Sequence, residues 1–165
     1  MTDIHEVCSI STRVNGVAVE RSVAPRLTLA ELLRDELGLT GTKLSCGLQV
    51  CGVCTVLVDG LPVSSCTFLA ADVDGATVES VEGLSDGETL HPLQQAFVEC
   101  FALQCGFCTP GFLMMAKSLL DRNPDPNREE VVEYLDGNLC RCTGYDPIVK
   151  AVLLAAARGK EQTGG

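Results

Sequence analysis

The sequence has no tryptophan, only five Phe and two Tyr, three Met and two His. With so few large side chains, any core must be filled by Leu, Val and Ala, which suits small domains held partly by metal. Basic residues are also scarce: 12 Lys and Arg stand against 22 Asp and Glu, a net charge of −10. Nucleic acids are bound through clustered Lys and Arg, so they are excluded as an expected partner. No apolar run approaches the roughly 18 residues of a membrane span. The start, Met1-Thr2-Asp3-Ile4-His5-Glu6, lacks the basic and apolar regions of a secretory leader and the paired arginines of a twin-arginine signal, so a cytoplasmic chain is expected. Also missing are a glycine-rich phosphate loop behind a strand and any Ser/His/Asp or Cys/His set with catalytic spacing. His91, ahead of a proline, reads as a capping or packing residue, and His5 lies in a start expected to be mobile.

Against these absences stand ten cysteines. Five disulfides are the secreted alternative, whereas a reducing compartment favours thiolates on metal. Cys46, Cys51, Cys54 and Cys66 are spaced C-x4-C-x2-C-x11-C, and the first three have the plant-type spacing of a [2Fe–2S] ligand set. Cys105 and Cys108 form C-x2-C and Cys140 and Cys142 form C-x-C, a second four-thiol set. Zinc, the competing metal, usually takes two tight knuckles, whereas here one glycine-bearing loop supplies three ligands. Cys8 and Cys100 fall on apolar faces and read as core thiols, as Met114 and Met115 read as core filler. Two such sites without substrate chemistry make the chain an electron conduit. Each oxidised cluster with its thiolates carries a charge of about −2, so the loaded protein would reach about −14 and favour partners with basic or hydrogen-bonding surfaces.

The fold expected is α+β in two parts, residues 1–81 and 82–165. In the first, Cys8–Val14 and Val17–Val23 flank Asn15-Gly16, and Thr55–Val58 and Leu61–Ser65 flank Asp59-Gly60: two hairpins. Between them, the capping box Thr28-Leu29-Ala30-Glu31 opens a helix with Leu29, Leu32, Leu33 and Leu37 buried, closed by Gly38. With a strand at Thr77–Val81, this is a β-grasp plant-type ferredoxin domain. Beyond Glu82–Gly87 the pattern turns helical, and helices open at Pro92, at the Thr109-Pro110 cap pair, at Asn127 with Glu130, and at Asp146-Pro147. Four helices make a bundle, the last running to about Ala157 ahead of a frayed tail. Cys105 and Cys108 precede one helix N-terminus and Cys140 and Cys142 another, where partial positive charge stabilises an anionic cluster and the electron it accepts. Gly106 and Gly144 permit tight turns, and Arg141 adds positive charge between two ligands.

The motifs carry a resemblance. Gly41-Thr42-Lys43 leading into Cys46, and Cys51-Gly52-Val53-Cys54-Thr55-Val56, resemble the first-cluster segment of the xanthine oxidase family of molybdenum hydroxylases. Gln104-Cys105-Gly106-Phe107-Cys108-Thr109-Pro110-Gly111 and Gly137-Asn138-Leu139-Cys140-Arg141-Cys142-Thr143-Gly144-Tyr145 resemble its second-cluster segments. The resemblance implies a small, non-catalytic iron–sulfur subunit of a three-subunit oxidoreductase, with a medium FAD subunit and a large molybdopterin subunit that holds the substrate, assembled as a dimer of heterotrimers. It implies electron flow from molybdenum through the helical-domain cluster and the ferredoxin-like cluster to flavin, with Gln104 and Cys142 against the pterin. Family members hydroxylate N-heteroaromatics or aldehydes, oxidise carbon monoxide or reduce an aromatic thioester. Many carry an acidic residue and glycines where this chain has Gly47-Leu48-Gln49-Val50, a more apolar loop expected to be buried against the flavin subunit. The alternative is a free-standing two-cluster ferredoxin. Phe107, Phe112 and Leu113 beside the second site look too apolar for that and favour a permanent partner.

Overall fold

The two hairpin turns close with positive φ at both central residues, 48° and 81° at Asn15-Gly16 and 49° and 77° at Asp59-Gly60. This is the twist that matches paired strands. The computed structural model describes residues 7–163 and the side chains of 7–160, so His5 and the final glycines of the expected tail lie outside the described residues. The first turn joins β1 (Cys8–Val14) to β2 (Val17–Val23), and the second joins β3 (Thr55–Val58) to β4 (Leu61–Ser64). A short β5 (Thr77–Glu79) lies between the hairpins, giving a five-stranded sheet in the order β2-β1-β5-β3-β4. β5 runs parallel to β1 and antiparallel to β3. This is the expected β-grasp arrangement.

Across the sheet lies α1 (Leu29–Glu31), begun by the Thr28 and Glu31 capping box. It continues as a π-helical turn over Leu32–Glu36 rather than as an ordinary helix. The reason is local: Leu37 N–H reaches back to the Leu32 carbonyl at 3.0 Å, and Leu39 N–H to that of Leu33 at 2.8 Å. Leu29, Leu32 and Leu33 pack with Ile10, Val14, Val23, Val56, Val58 and Val78 to form the first core. Leu37, expected on the buried stripe, only borders it.

The second half holds α2 (Pro92–Glu99), α3 (Thr109–Arg122), α4 (Arg128–Leu135) and α5 (Tyr145–Thr163). Phe97, Phe112, Met114, Val131, Ile148 and Val152 lie in its core. Three boundaries differ from expectation, the simplest being that α5 opens at Tyr145, ahead of the Asp146-Pro147 pair. Cys108 already has helical backbone angles, so it takes the cap position and Thr109 is the first helical residue. α5 runs on to Thr163, and in this extension Arg158 forms a bidentate ion pair with Glu99 at the end of α2, with bonds of 3.0 and 2.6 Å.

β3 is shared by both halves. Successive strand side chains point to opposite faces, so Val56 and Val58 enter the sheet core while Leu57 enters the helical core. α3 lies against that second face. Ser118 Oγ donates to the Gly60 carbonyl at 3.4 Å, and Lys117 Nζ lies 3.6 Å from Glu79 Oε2.

His91 caps α2, its Nδ1 accepting Leu93 N–H at 3.2 Å. Burial first, then Lys117, hold its pKa below 6.5, against an opposing pull from Asp121. The unfolded chain therefore takes up a proton before the folded one does, and stability falls as pH drops below His91's ordinary range. His91→Asn retains a cap oxygen without the titration, so the variant should lose less stability than the parent between pH 7 and 5. Chemical unfolding across this range should show a shallower fall for the variant, and parallel falls would remove His91 from the account.

Candidate metal centres and the joint between them

The first cysteine loop follows the π turn and feeds directly into β3. Left-handed residues recur along it, Gly47, Gln49 and Gly52 with φ of 63°, 59° and 67°. Such alternation turns successive amides towards one side and makes an anion-binding concavity. Leu48 N–H donates to Cys46 Sγ at 3.4 Å, and this bond with those from Val50 and Cys51 lowers the Cys46 pKa to about 6. The Cys46 thiol also meets that of Cys51. Cys54, buried at the mouth of β3, meets Cys66 instead, and burial raises it to about 11. Ser65 holds the returning hairpin in place, its Oγ donating to the Cys54 carbonyl at 2.6 Å. Gln49 adopts the left-handed conformation that glycine gives at no steric cost. Its Oε1 accepts from Thr67 Oγ1 at 3.2 Å, which ties the loop to the residue after Cys66.

The second set forms where two helices begin. Cys105 Sγ and Cys142 Sγ are 3.5 Å apart, and Cys108 meets Cys140. The Phe107 amide, then Cys142, lower the Cys105 pKa, while burial, then Cys140, push Cys108 up to about 12. In both sets one outer thiol is charge-stabilised by backbone amides and one inner thiol is held neutral by burial. Gln104 Nε2 donates to the Cys142 carbonyl at 3.0 Å. Tyr145 Oη accepts the Cys140 N–H at 2.9 Å, with its ring edge-on to Phe112 at 6.3 Å. Arg141 is exposed.

The two loops touch each other. Leu139 N–H donates to the Cys51 carbonyl at 2.9 Å, and Asn138 Nδ2 donates to the Gly52 carbonyl at 3.0 Å. A Cβ on Gly52 would lie 2.7 Å from the Asn138 side chain and 2.8 Å from the Gly137 carbonyl oxygen. A Cβ on Gly111 would collide with the Gly52 carbonyl and sit 3.0 Å from Val53 Cα. Cys51 is thus connected to Cys140 by one hydrogen bond and the Leu139 backbone. Asn138, Gly111 and Tyr145 had no individual role in the sequence reading. Their signal was only that each stood inside a cysteine motif.

Residues 12–85 match the 2Fe-2S iron-sulfur cluster binding domain, and residues 80–153 match a second [2Fe-2S] binding domain. The chain is 57% identical over 144 residues to the nicotine 6-hydroxylase small subunit of Paenarthrobacter nicotinovorans, covering 87% of each chain. It is 44% identical over 138 residues to one of the subunits of a probable xanthine dehydrogenase of Bacillus subtilis (strain 168), covering 84% of this chain and 79% of that one. This chain is a small iron–sulfur subunit of the xanthine oxidase family. The crystal structure of quinoline 2-oxidoreductase from Pseudomonas putida 86 includes a chain similar to it throughout, with a TM-score of 0.90, 48% identity, and 94% of this chain and 97% of that one covered.

The thiols of the small subunit fit the group its domains bind. All ten cysteines are free of disulfides. Among the described residues no three His, Cys, Asp or Glu side chains gather as a single metal ion requires. The pairing of thiols two by two fits a diiron core, in which each iron takes two thiolates. One expectation is corrected. Phe112 and Leu113, read as an outward partner face, are 1% and 5% exposed inside the helical core, because α3 turns them towards α5 and β3. Phe107 is exposed, together with Phe101, Leu48 and Val50.

Gly111→Ala forces α3 away from the Gly52 peptide. It should cost about 1–3 kcal/mol of stability, as overpacking does, and disturb the spectra of both centres together. Thermal unfolding and spin-resonance spectra of the purified protein test this.

Proposed function

We propose that Cys46, Cys51, Cys54 and Cys66 hold one [2Fe–2S] cluster and that Cys105, Cys108, Cys140 and Cys142 hold the other. On this reading the small subunit is a two-step wire, with a ferredoxin-like unit over residues 1–81 and a helical unit over 82–165. The observation that carries it is the hydrogen bond from Leu139 N–H to the Cys51 carbonyl, which sets a ligand of one centre beside a ligand of the other. Each cluster, when bound, supplies a one-electron couple without proton transfer.

The chain's own residues keep that couple reversible. The amides of Leu48, Val50, Cys51 and Phe107 stabilise thiolate charge without adding side-chain positive charge. Val53, Val56 and Phe112 are buried beside the ligands and exclude water. The electron donor is a large molybdopterin subunit meeting the helical unit, with Gln104 and Cys142 against the pterin. The acceptor is a medium FAD subunit meeting the loop that carries Leu48 and Val50. The complex is a cytoplasmic dimer of heterotrimers, and no described helix is long and apolar enough to cross a membrane. Relatives named for nicotine and quinoline support an N-heteroaromatic substrate, held by the large subunit.

Freshly isolated small subunit should contain about four irons and four acid-labile sulfides per chain, as two diiron centres require. Reduction should give two distinct [2Fe–2S] spin-resonance signals, and affinity purification should retain a flavoprotein and a molybdenum protein. Stoichiometric zinc in place of iron would overturn the cluster reading. Both signals in a chain that purifies alone would support the free-standing carrier.

A further inference from the structure

Among the described residues, two buried side-chain polar atoms have no hydrogen-bond partner: Oγ1 of Thr42 and Oγ1 of Thr109. A buried hydroxyl without a partner is costly, so its presence in a folded protein requires an explanation. Each lies in a cysteine segment, Thr42 on the approach to Cys46 and Thr109 directly after Cys108.

For Thr109 the ordinary explanation fails. Threonine at a helix start commonly caps it. Here Cys108 holds the cap position and no side chain makes the capping bond. The Thr109 amide is already used, donating to the Gly106 carbonyl at 3.2 Å. Pro110 follows and adds no N–H. What remains is a hydroxyl closed off from water at the positive end of a 14-residue helix, next to a thiol that meets Cys140. Valine would fill the same space and leave no polar atom stranded.

We propose that Thr109 sets the potential of the second centre by donating its hydroxyl hydrogen bond to a sulfur of the [2Fe–2S] core. This rests on the ligand assignment proposed above. When bound, the cluster would accept one electron from the reductant, passing from ferric–ferric to ferric–ferrous and from a charge of about −2 to about −3. No bond forms or breaks, and the proton stays on Oγ1. A donor aimed at sulfur stabilises the more negative state more, so it raises the affinity for the electron. Thr109 is therefore a positioning and tuning residue.

The test uses the intact complex, poised at fixed potentials with dithionite and mediators and read by spin resonance. Cys105→Ser, which alters the second centre alone, assigns the signals. Thr109→Val should lower the ratio of reduced to oxidised second centre at a given potential by roughly tenfold, the scale on which a hydrogen bond to charge exceeds a neutral one. Thr109→Ser should restore it to within about twofold. Thr42→Val should leave the second centre where it was. In deuterated solvent, the reduced second centre should lose one exchangeable-deuteron coupling in the Val variant and regain it in the Ser variant. Thr109→Ala is read in the same way, so a folding failure of the Val variant does not protect the proposal. An unchanged midpoint and unchanged deuteron coupling, with both signals present, overturn it even where thermal stability falls. Absence of the signals from the parent protein overturns the ligand assignment instead.

Discussion

Contact between the peptides of Cys51-Gly52 and Asn138-Leu139 is the constraint on which the rest of the small subunit depends. Both hydrogen bonds across it use backbone carbonyls of the first cysteine loop, so sequence change in that loop can preserve them while the backbone path is kept. The close approach needs glycine on both sides, Gly52 against Asn138 and Gly111 against the Gly52 peptide. The two halves of the chain are thereby joined at their cysteine loops. β3 extends that union, since neighbouring side chains of a single strand fill two different cores.

Charge explains why the centres are built from backbone. A chain of net charge −10 that holds anionic clusters must stabilise more negative charge with few cations to spare. Amides provide partial positive charge with no net charge and no side-chain entropy, and left-handed turns or helix N-termini aim them. In the first set these amides come from the left-handed loop of Leu48, Val50 and Cys51, and in the second from Phe107, in the turn that leads into α3. Each set keeps one thiol away from water, Cys54 buried and Cys108 half-buried against the helical core, where burial opposes ionisation.

Much of this was legible in the residues, and the limits follow physical lines. Hairpins declared themselves through Asn15-Gly16 and Asp59-Gly60, because only a few dipeptides accept two positive φ angles in succession. Capping boxes at Thr28 and Asn127 declared themselves through reciprocal side-chain bonds three residues apart, which local sequence contains in full. Ligand spacing exposed both thiol sets. What escaped is carried by backbone bonds or by distant partners. The π turn at Leu32–Glu36 is closed by the amides of Leu37 and Leu39, which leave no trace in the side-chain pattern. Arg158, beyond the expected end of α5, pairs with Glu99, 59 residues away. The joint between the loops, 86 residues apart at Gly52 and Asn138, has no local signature.

The same dependence on distant partners bears on the surface. Phe101 is 84% exposed and holds a φ of 52°, a conformation unfavourable for a bulky side chain, and Leu48 is 73% exposed. Neither helps this chain fold alone: one is strained, the other leaves apolar area in water. Phe101 lies in the connection from α2 to Cys105, and Leu48 lies between Cys46 and Cys51, so each belongs to a different cysteine set. A carrier that meets its partners briefly gains little from such surfaces and risks association through them. A subunit covered on two sides gains both apolar burial and exclusion of water from its thiolates. On the function proposed above, the stability lost in the isolated chain would be recovered at the faces where electrons enter and leave.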